Sequence, residues 1–544
     1  MVNVNSSFVK GAATLAITGI AARGIGAIFR VVLAAVLGDE GIGLYQYAYP
    51  IYSTLLVIST AGIPVALSKI IAEKIALNDY HEALRVFRVA FIILSVSGLI
   101  ISLTMMLGAQ FISVVIVKDL KAYYPILAIS PAIFFVTIMA SLRGFFQGQQ
   151  NMFPTAVSQL LEQLVRVLFA IIMVVIMLPV GLEYASAGAT SGATAGGLAG
   201  LLLLFFLYRR RRFGLFDLAA KQSEHSPERV GHIIRRIFGL AIPITIGGLV
   251  IPLISLIDLA VVPRQLLEAG FEIERARALY GQLTGMASSV VYFPNVIALA
   301  LSMSLVPAIS EAFALKNKLM VLNRTEIAMK MTLLFALPSA AGLFLLAEPI
   351  TILLFNNAEA GYSLSYMSWS VIPLCFYVTT TGLIQGLGRP IVPALNMLYG
   401  GIVKTILAWH LTVIPALNVG GAALASVIGI AVAAILNINY VMKHTGWRIN
   451  IREFILLPGI SMIIMSVFVY FPFRLINTYG AALMTGGWLN AISTLFAIAV
   501  GIIVYGVTLL LMGVLNEDEL RLIPYIGSRI SKLRARFKID RRQD

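Results

Sequence analysis

Two arginines lie inside the first long apolar run of the chain, residues 8–37. Arg23 and Arg30 are seven residues apart, which is two turns of a helix, so both guanidinium groups lie on one stripe. A permanent charge at bilayer depth costs about 3 kcal/mol, so we expect this stripe to face a wet cavity or the protein interior. Guanidinium groups bind phosphate through paired hydrogen bonds. The two arginines therefore predict a basic interior that binds anions.

Five further ionisable residues lie at or near membrane depth, namely Lys69, Glu162, Arg166, Asp258 and Lys404. Glu162 and Arg166 are spaced i, i+4, which predicts an ion pair on one helix. That pair either neutralises itself for packing or takes part in substrate binding and ion coupling. Asp258 precedes Arg264 near the end of the seventh apolar run. We interpret Asp258 as a counter-ion to an arginine or as a protonatable coupling group.

Two basic residues lie near predicted cytoplasmic ends of apolar runs. Lys69 is close to the end of the second run, where its long side chain could reach the interface. Arg143 begins the segment Arg143-Gly-Phe-Phe-Gln-Gly, which we place at the turn between the fourth and fifth runs. Each residue could serve topology alone or add positive charge to a substrate cavity.

The composition predicts an all-α integral membrane protein. Of 544 residues, 59% are hydrophobic and 12% are charged, with a mean hydropathy of +0.92. A single cysteine, Cys375, excludes an internal disulfide. Apolar runs long enough to cross a bilayer recur throughout the chain. We count fourteen, at residues 8–37, 44–72, 86–113, 122–143, 153–179, 184–208, 234–262, 281–311, 325–355, 364–388, 391–415, 418–442, 452–473 and 487–515.

The distribution of charge predicts the orientation. With the N-terminus in the cytoplasm, 29 of the 40 Lys and Arg residues lie on cytoplasmic segments and 6 on external ones. This asymmetry satisfies the positive-inside rule, and it places both termini in the cytoplasm. The net charge of +15 then reflects contact with anionic lipid rather than with nucleic acid. The first run is too long for a cleaved signal peptide, so we expect it to be retained.

An internal repeat predicts two related lobes. A shift of 238 residues aligns the fourth and fifth runs with the tenth and eleventh. The matches are Gly144 with Gly382, Gln147 with Gln385, Gly148 with Gly386, Ala156 with Ala394 and Arg166 with Lys404. Parallel six-helix repeats that rock about a central site are a transporter architecture. We expect a first lobe at 1–208, a basic linker at 209–233, a second lobe at 234–443, two extra helices at 444–515 and a basic tail at 516–544.

The chain lacks the common catalytic and nucleotide-binding motifs. It contains no GxxxxGK[ST] loop, no HExxH and no GxSxG, and its five histidines have no metal-ligand spacing. We therefore expect neither an enzyme nor a resident cofactor or metal. A membrane glycosyltransferase is also disfavoured, because no loop carries an acidic metal-binding motif.

Several longer segments carry a resemblance to a known family. They resemble the stage V sporulation protein B branch of Gram-positive polysaccharide exporters, which is related to the lipid II flippase MurJ. The resemblance covers essentially the whole chain. The segments are Arg30 to Gln46 with Tyr49-Pro50, Ser59 to Lys69, Arg143-Gly-Phe-Phe-Gln-Gly, Glu162-Gln-Leu-Val-Arg166, and Tyr292-Phe-Pro294 running to Glu311.

The resemblance implies a fold, a substrate and a mechanism. The fold is that of the multidrug/oligosaccharidyl-lipid/polysaccharide exporters, with two six-helix lobes around a central cavity and two added C-terminal helices. The implied substrate is an undecaprenyl-diphosphate-linked saccharide, with lipid II the first choice, flipped outward by alternating access. The implied location is the bacterial cytoplasmic membrane, where we expect a multi-pass monomer in contact with membrane lipids. Arg30 matches a diphosphate-binding arginine of the first helix, and Arg23 matches a second one.

One departure from the family pattern keeps alternatives open. MurJ proteins of Gram-negative type carry arginines in their second and eighth helices, where this chain has Leu56-Val57 and Ser289. Another polyprenyl-linked polysaccharide is therefore an alternative substrate. A cation-coupled multidrug antiporter and a non-transporting scaffold for envelope or spore assembly are weaker alternatives, because a basic first helix suits neither. The remaining positive charge would have to come from Lys69, Arg143, Arg166 and Arg264.

Overall fold

The structure is a computed structural model. It describes the backbone at residues 2–60, 62–220, 228–480 and 487–513. Side chains are described within these ranges except at 2–17, 20, 23, 211–218, 220, 243 and 480. The predicted basic tail at 516–544 lies outside the described residues, as does the side chain of Arg23.

The described part of the chain is almost entirely helical. Three π-helical segments, Ile112–Val117, Gln282–Ala287 and Arg452–Leu456, and one 3-10 turn, Leu120–Ala122, extend or join the α-helices. The α-helices are α1 (Val2–Thr60), α2 (Ile63–Ala76), α3 (Tyr80–Phe111), α4 (Tyr123–Gly148), α5 (Phe153–Met177), α6 (Leu182–Ala220), α7 (Val230–Glu268), α8 (Ile273–Gly281), α9 (Ser288–Ala314), α10 (Lys318–Leu345), α11 (Ala347–Phe355), α12 (Ala360–Ser368), α13 (Val371–Gly386), α14 (Ile391–Leu411), α15 (Asn418–Thr445), α16 (Leu457–Gly480) and α17 (Gly487–Leu511).

Two breaks divide the first part of the chain. Gly38 has φ 69° and ψ −175°, so α1 is two helices joined at a kink. Gly62 has φ 63°, and α2 begins directly after it. The apolar run over 44–72 therefore contains a break between Thr60 and Ile63. Pro64 explains the break, because it lies in the first turn of α2 and its ring would clash with the carbonyl of the preceding turn.

The number of candidate membrane spans comes close to the fourteen predicted. Twelve described helices are long and apolar enough to cross a membrane, and the bent pair of α12 and α13 makes thirteen. One of the twelve, Gly24–Ala76, has 53 residues, or about 80 Å of straight helix for a hydrocarbon core near ~30 Å. That length exceeds one crossing, and Gly38 divides it; the candidate spans of the described chain number twelve or thirteen, where the sequence predicted fourteen. The protein is a multi-pass membrane protein.

The first of two compact units comprises Met1–Ser289 and Ala408–Val419. One apolar core of this unit joins α2, α3, α4, α6 and α7. Leu67, Leu142 and Phe146 are almost fully buried there. The rings of Phe87 and Phe145 lie 4.4 Å apart between centroids. This packing gives α4 and α6 the fixed positions on which the functional residues below depend.

The second unit comprises Val290–Leu407 and Gly420–Asp544. Ile309, Met329 and Leu383 form the centre of its largest core, which draws on α9, α10 and α13. The added helices α16 and α17 pack on each other closely, since a Cβ at Gly501 would lie 2.7 Å from Cγ2 of Val469. The predicted lobe boundaries at 208, 233, 443 and 515 differ from these two units and stay a prediction.

Helix contacts inside each unit support the internal repeat. A Cβ at Gly148 of α4 would lie 2.7 Å from Cβ of Ile71 on α2. A Cβ at Gly386 of α13 would lie 2.8 Å from Cβ of Ile309 on α9. The two glycines and the two isoleucines are each 238 residues apart. The same shift thus relates both the glycine and the helix on which it packs.

The basic residues of the repeat also have matching surroundings. A Cβ at Gly196 of α6 would lie 2.9 Å from Cβ of Arg166 on α5. A Cβ at Gly429 of α15 would lie 2.6 Å from Cβ of Lys404 on α14. Each basic residue therefore lies on a helix that contacts a glycine of the next long helix.

Replacing Gly386 by leucine should destabilise the protein. Its side chain would displace Ile309, and overpacking of this kind costs about 1–3 kcal/mol. Gly342→Leu on α10 is the matched control, because a Cβ there meets no atom within 4 Å. Thermal unfolding of the purified protein in detergent measures the difference. Equal melting temperatures for the two variants would contradict the proposed contact.

Candidate functional site

A carboxylate bound by two arginines lies between α4 and α5. Glu162 accepts a hydrogen bond of 2.6 Å from Nη2 of Arg166, which confirms the predicted i, i+4 ion pair. Its other oxygen accepts a bond of 3.0 Å from Nη2 of Arg143. The three side chains are only 14–17% exposed. Two positive charges and one negative charge therefore share a largely desolvated space.

Arg143 reaches this cluster because α4 is longer than the sequence suggested. We expected Arg143 at a cytoplasmic turn, whereas the structure places it inside α4, which continues to Gly148. Its Nε donates a bond of 3.0 Å to Oγ of Ser158 on α5. The guanidinium is therefore fixed at two points on the neighbouring helix and does not serve topology alone.

A stripe of glycines on α6 fixes the position of α5. Gly188, Gly192, Gly196 and Gly200 recur at every fourth residue, so they lie on one face of the helix. A Cβ at Gly196 would lie 2.5 Å from the carbonyl oxygen of Glu162. The hydrophobic effect does not drive helices together inside a bilayer, because lipid tails are as apolar as the side chains. Transmembrane helices therefore associate through close backbone contacts of this kind. The glycine stripe therefore positions the Glu162 carboxylate.

Three tyrosines of α1 form a face beside Arg30. Tyr45, Tyr49 and Tyr52 follow the i, i+4, i+7 spacing of one helical face. Ring centroids are 6.1 Å apart for the first pair and 6.0 Å for the second. The guanidinium carbon of Arg30 lies 5.6 Å from the centroid of Tyr49, which is cation–π distance. The sequence reasoning missed this face, although its spacing was readable.

The tyrosine face connects Arg30 to the carboxylate cluster. Arg166 interacts electrostatically with all three tyrosines, and Tyr45 interacts with both Arg30 and Arg166. We call Arg30, Arg143, Arg166 and Glu162 the basic cluster. Its formal charge is +2. The Nε of Arg166 is buried and has no hydrogen-bond partner among the described residues. An anion would supply both the missing charge and the missing acceptor.

The other predicted site residues lie in different surroundings. Lys69 is exposed on α2. Arg264 is about half exposed on α7, and its Nε donates a bond of 3.0 Å to Glu268. Asp258 is partly buried on the same helix and interacts with Tyr280. The structure thus brings Arg143, Glu162 and Arg166 into contact and links Arg30 to them through the tyrosine face. The part played by Lys69, Arg264 and Asp258 stays a prediction.

A second charged cluster was not predicted from the sequence. Arg277 of α8 is 1% exposed, and its Nε donates a bond of 2.6 Å to Asp119. Its Nη1 lies 3.4 Å from Glu40 of α1. Gln282 donates a bond of 2.9 Å to Asp39. We call these five residues the polar latch. It joins α1 beyond its kink, the loop before the 3-10 turn, and α8.

The backbone around the polar latch is equally tight. A Cβ at Gly285 would lie 2.5 Å from Cγ1 of Ile42. The side chain of Gln46 donates a bond of 2.6 Å to the carbonyl oxygen of Thr284. No sequence pattern pairs Asp119 with a residue 158 positions later, so only the fold reveals the pair. By the predicted orientation, the latch lies at the external ends of these helices.

Comparison with known proteins identifies the family. The family described as "Polysaccharide biosynthesis protein" matches residues 8–313. Stage V sporulation protein B of Bacillus subtilis (strain 168) is 32% identical over 523 residues, which cover 96% of this chain and 98% of that protein. The chain belongs to the polysaccharide biosynthesis protein family. Another relative in the same organism, the lipid II flippase MurJ, is 25% identical and covers 85% of this chain and 87% of its own.

Solved structures show that this family member has a transporter fold. The inward closed conformation of the lipid II flippase MurJ superposes with a TM-score of 0.57 at 18% identity, covering 91% of this chain and 97% of that one. An inward-facing multidrug resistance MATE transporter of the MOP superfamily superposes with a TM-score of 0.64 at 16% identity, covering 78% and 94%. The predicted fold class is confirmed.

Replacing Glu162 by glutamine should destabilise the protein. The change leaves two guanidinium groups in a desolvated space without their counter-charge, which costs about 3 kcal/mol. Glu268→Gln on α7 is the matched control, because the exposed pair with Arg264 contributes about 1 kcal/mol or less. Unfolding in detergent, followed by circular dichroism, measures both. A loss for Glu162→Gln no larger than that of the control would argue against the cluster.

Proposed function

We propose that the protein moves an undecaprenyl-diphosphate-linked cell-wall precursor, most simply lipid II, from the inner to the outer leaflet by alternating access. It would act as a monomer in the bacterial cytoplasmic membrane, with both termini in the cytoplasm. The observation that carries this proposal is the basic cluster, with a formal charge of +2 and an unpartnered Nε on Arg166. Three planar guanidinium groups match the oxygens of a diphosphate.

The basic cluster also argues against the other function classes. A cavity that binds cationic drugs needs carboxylates that are not paired with arginines, whereas Glu162 is paired with two arginines. A scaffold without transport gains nothing from desolvating arginines at membrane depth. Because Glu162 forms ion pairs with two arginines, Asp258 is the better candidate for coupling to an ion. The chain has no nucleotide motif, and one charge moved through 100 mV supplies about 2.3 kcal/mol.

A different polyprenyl-linked polysaccharide is the second candidate substrate. The relative with 32% identity is named for sporulation rather than for lipid II. Ser289 lies where related flippases carry an arginine, and it is buried with its hydroxyl bonded to the carbonyl oxygen of Gly285. Leu56 and Val57 add no charge either. Both candidates share the diphosphate, and they differ in the saccharide.

The polar latch fits the external side of an alternating-access cycle. Arg277 forms a buried ion pair with Asp119 in the loop before the 3-10 turn, and its contact with Glu40 holds α8 against α1. For the headgroup to leave outward, these two elements would have to separate. We infer that the latch closes the external path while the basic cluster is loaded from the inner leaflet.

Replacing Arg30 by alanine should abolish transport, because the substrate loses one of its diphosphate ligands. Arg30→Lys should keep part of the activity, since the charge remains but the paired geometry does not. Complementation of cells depleted of their lipid II flippase is the measurement, with membrane abundance checked by immunoblot. Arg88→Ala, an exposed arginine of α3, is the control. Full rescue by Arg30→Ala would refute the role of the basic cluster.

The substrate itself is tested in the same cells. Rescue by the wild-type chain, with lipid II appearing in the outer leaflet, would support lipid II. Wild-type protein that reaches the membrane without rescuing growth would favour the second candidate.

Joining the latch covalently should stop transport. The side chains of Asp39 and Gln282 are in hydrogen-bond contact at 2.9 Å. In the Asp39→Cys/Gln282→Cys double variant, a short methanethiosulfonate cross-linker should therefore block lipid flipping in proteoliposomes. A reductant should restore flipping in the same sample, which serves as its own control. The single native cysteine, Cys375, is buried and should not interfere. Undiminished flipping by the cross-linked protein would show that the latch need not open.

A further inference from the structure

A cavity of about 730 Å³ lies within the second unit. Its walls come from the end of α10, from α11 and α12, and from the added helices α16 and α17. A volume between about 300 and 1,000 Å³ is typical of sites for small organic ligands. By the predicted orientation, these helix ends face the outside. The cavity therefore has the size and the position to receive a group that has been delivered outward.

Aromatic side chains form part of the wall. Tyr362 of α12 is held in place by Tyr366, with ring centroids 5.0 Å apart in a T-shaped arrangement. Tyr470 of α16 is 45% exposed and offers an accessible ring. Aromatic rings stack on the apolar faces of flat ligands and bury large areas. The aromatic lining residues are Phe344, Tyr362, Tyr470 and Phe473.

Acidic and amide side chains form the rest of the polar wall. Glu348 is fixed at the start of α11, since a Cβ at Gly361 would lie 2.6 Å from its Cα. Asn490 of α17 donates a bond of 2.9 Å to the carbonyl oxygen of Pro349, which ties the added helix to the cavity. None of the described residues that line the cavity carries a positive charge. The polar lining residues are Glu348, Glu359, Ser365, Asn477 and Asn490.

We propose that this cavity binds the saccharide part of the transported precursor, and not its diphosphate. Carboxylate and amide groups bind the hydroxyl and amide groups of amino sugars, and the aromatic rings cover their apolar faces. This inference rests on the proposed function and adds a second subsite to it. The basic cluster would hold the diphosphate, whereas the cavity would receive the sugar near the exit.

The charges and the volume disfavour other occupants. The described lining contains two carboxylates and no basic side chain, so its charge repels a diphosphate. A polyprenyl tail would desolvate Glu348 and Asn477 without returning any hydrogen bond. A lone cation would fill only a small part of about 730 Å³. A neutral or amine-bearing sugar can donate hydrogen bonds to the carboxylate and amide oxygens and can also stack on the aromatic rings.

Direct binding of a lipid-free sugar tests the proposal without transport. The probe is chitobiose, a disaccharide of N-acetylated amino sugars, added to the full-length protein in nanodiscs and followed by saturation-transfer NMR. We expect transfer to the sugar protons, with binding at least fivefold weaker in Tyr470→Ala and in Glu348→Gln. Both side chains are exposed enough to be replaced without disturbing the core. Tyr399→Ala, at an exposed tyrosine of α14 outside the cavity, should bind as the wild type does.

The outcomes separate this proposal from the proposed function. Absence of chitobiose binding, or binding that Tyr470→Ala and Glu348→Gln leave unchanged, would overturn the saccharide site. Displacement of chitobiose by the short polyprenol farnesol would assign the cavity to the lipid tail and would overturn it too. Neither result affects the test of Arg30→Ala. If that variant still complements the depleted cells, the diphosphate site is contradicted instead. Chitobiose binding together with failed complementation by the wild-type chain would show that the sugar site exists but that the proposed transport does not occur.

Discussion

Close backbone contact at glycines is the constraint on which the functional arrangement depends. Within a bilayer, lipid tails are as apolar as leucine, so helices associate through tight packing rather than through exclusion of water. The glycine stripe of α6 brings its backbone against α5 at Glu162 and Arg166. A larger residue there would shift α5 as a rigid rod. The distances within the basic cluster are therefore set by side chains that carry no charge.

The same packing occurs in both halves, but the chemistry does not. Gly429 contacts Lys404 as Gly196 contacts Arg166, so a basic residue was retained in each repeat. The position that matches Glu162 is Gly400, which removes the carboxylate from the second half. At these matched positions, the described first half has both an arginine and an acid that orients it, whereas the second half has a lysine and a glycine.

Local features of the site were predictable from the sequence, and contacts between distant segments were not. Hydropathy located the spans, and the i, i+4 spacing gave the ion pair between Glu162 and Arg166. The 238-residue shift identified helices that do pack alike. Arg143 was misplaced because helix ends are poorly determined by composition. Arg277 and Asp119 could not be paired, since only tertiary folding brings together residues so far apart in the chain.

The salt bridge between Arg277 and Asp119 has a consequence for reversibility. Each ion loses several kcal/mol of hydration when it is enclosed, and the attraction between them returns most of that loss. When the two segments move apart, water solvates both ions again. The free-energy difference between the joined and the separated arrangement is therefore small, because the lost hydration and the attraction between the ions nearly cancel. An apolar contact of equal area would favour the joined arrangement more strongly, whereas a charged contact allows the two segments to separate and rejoin at a smaller cost in free energy.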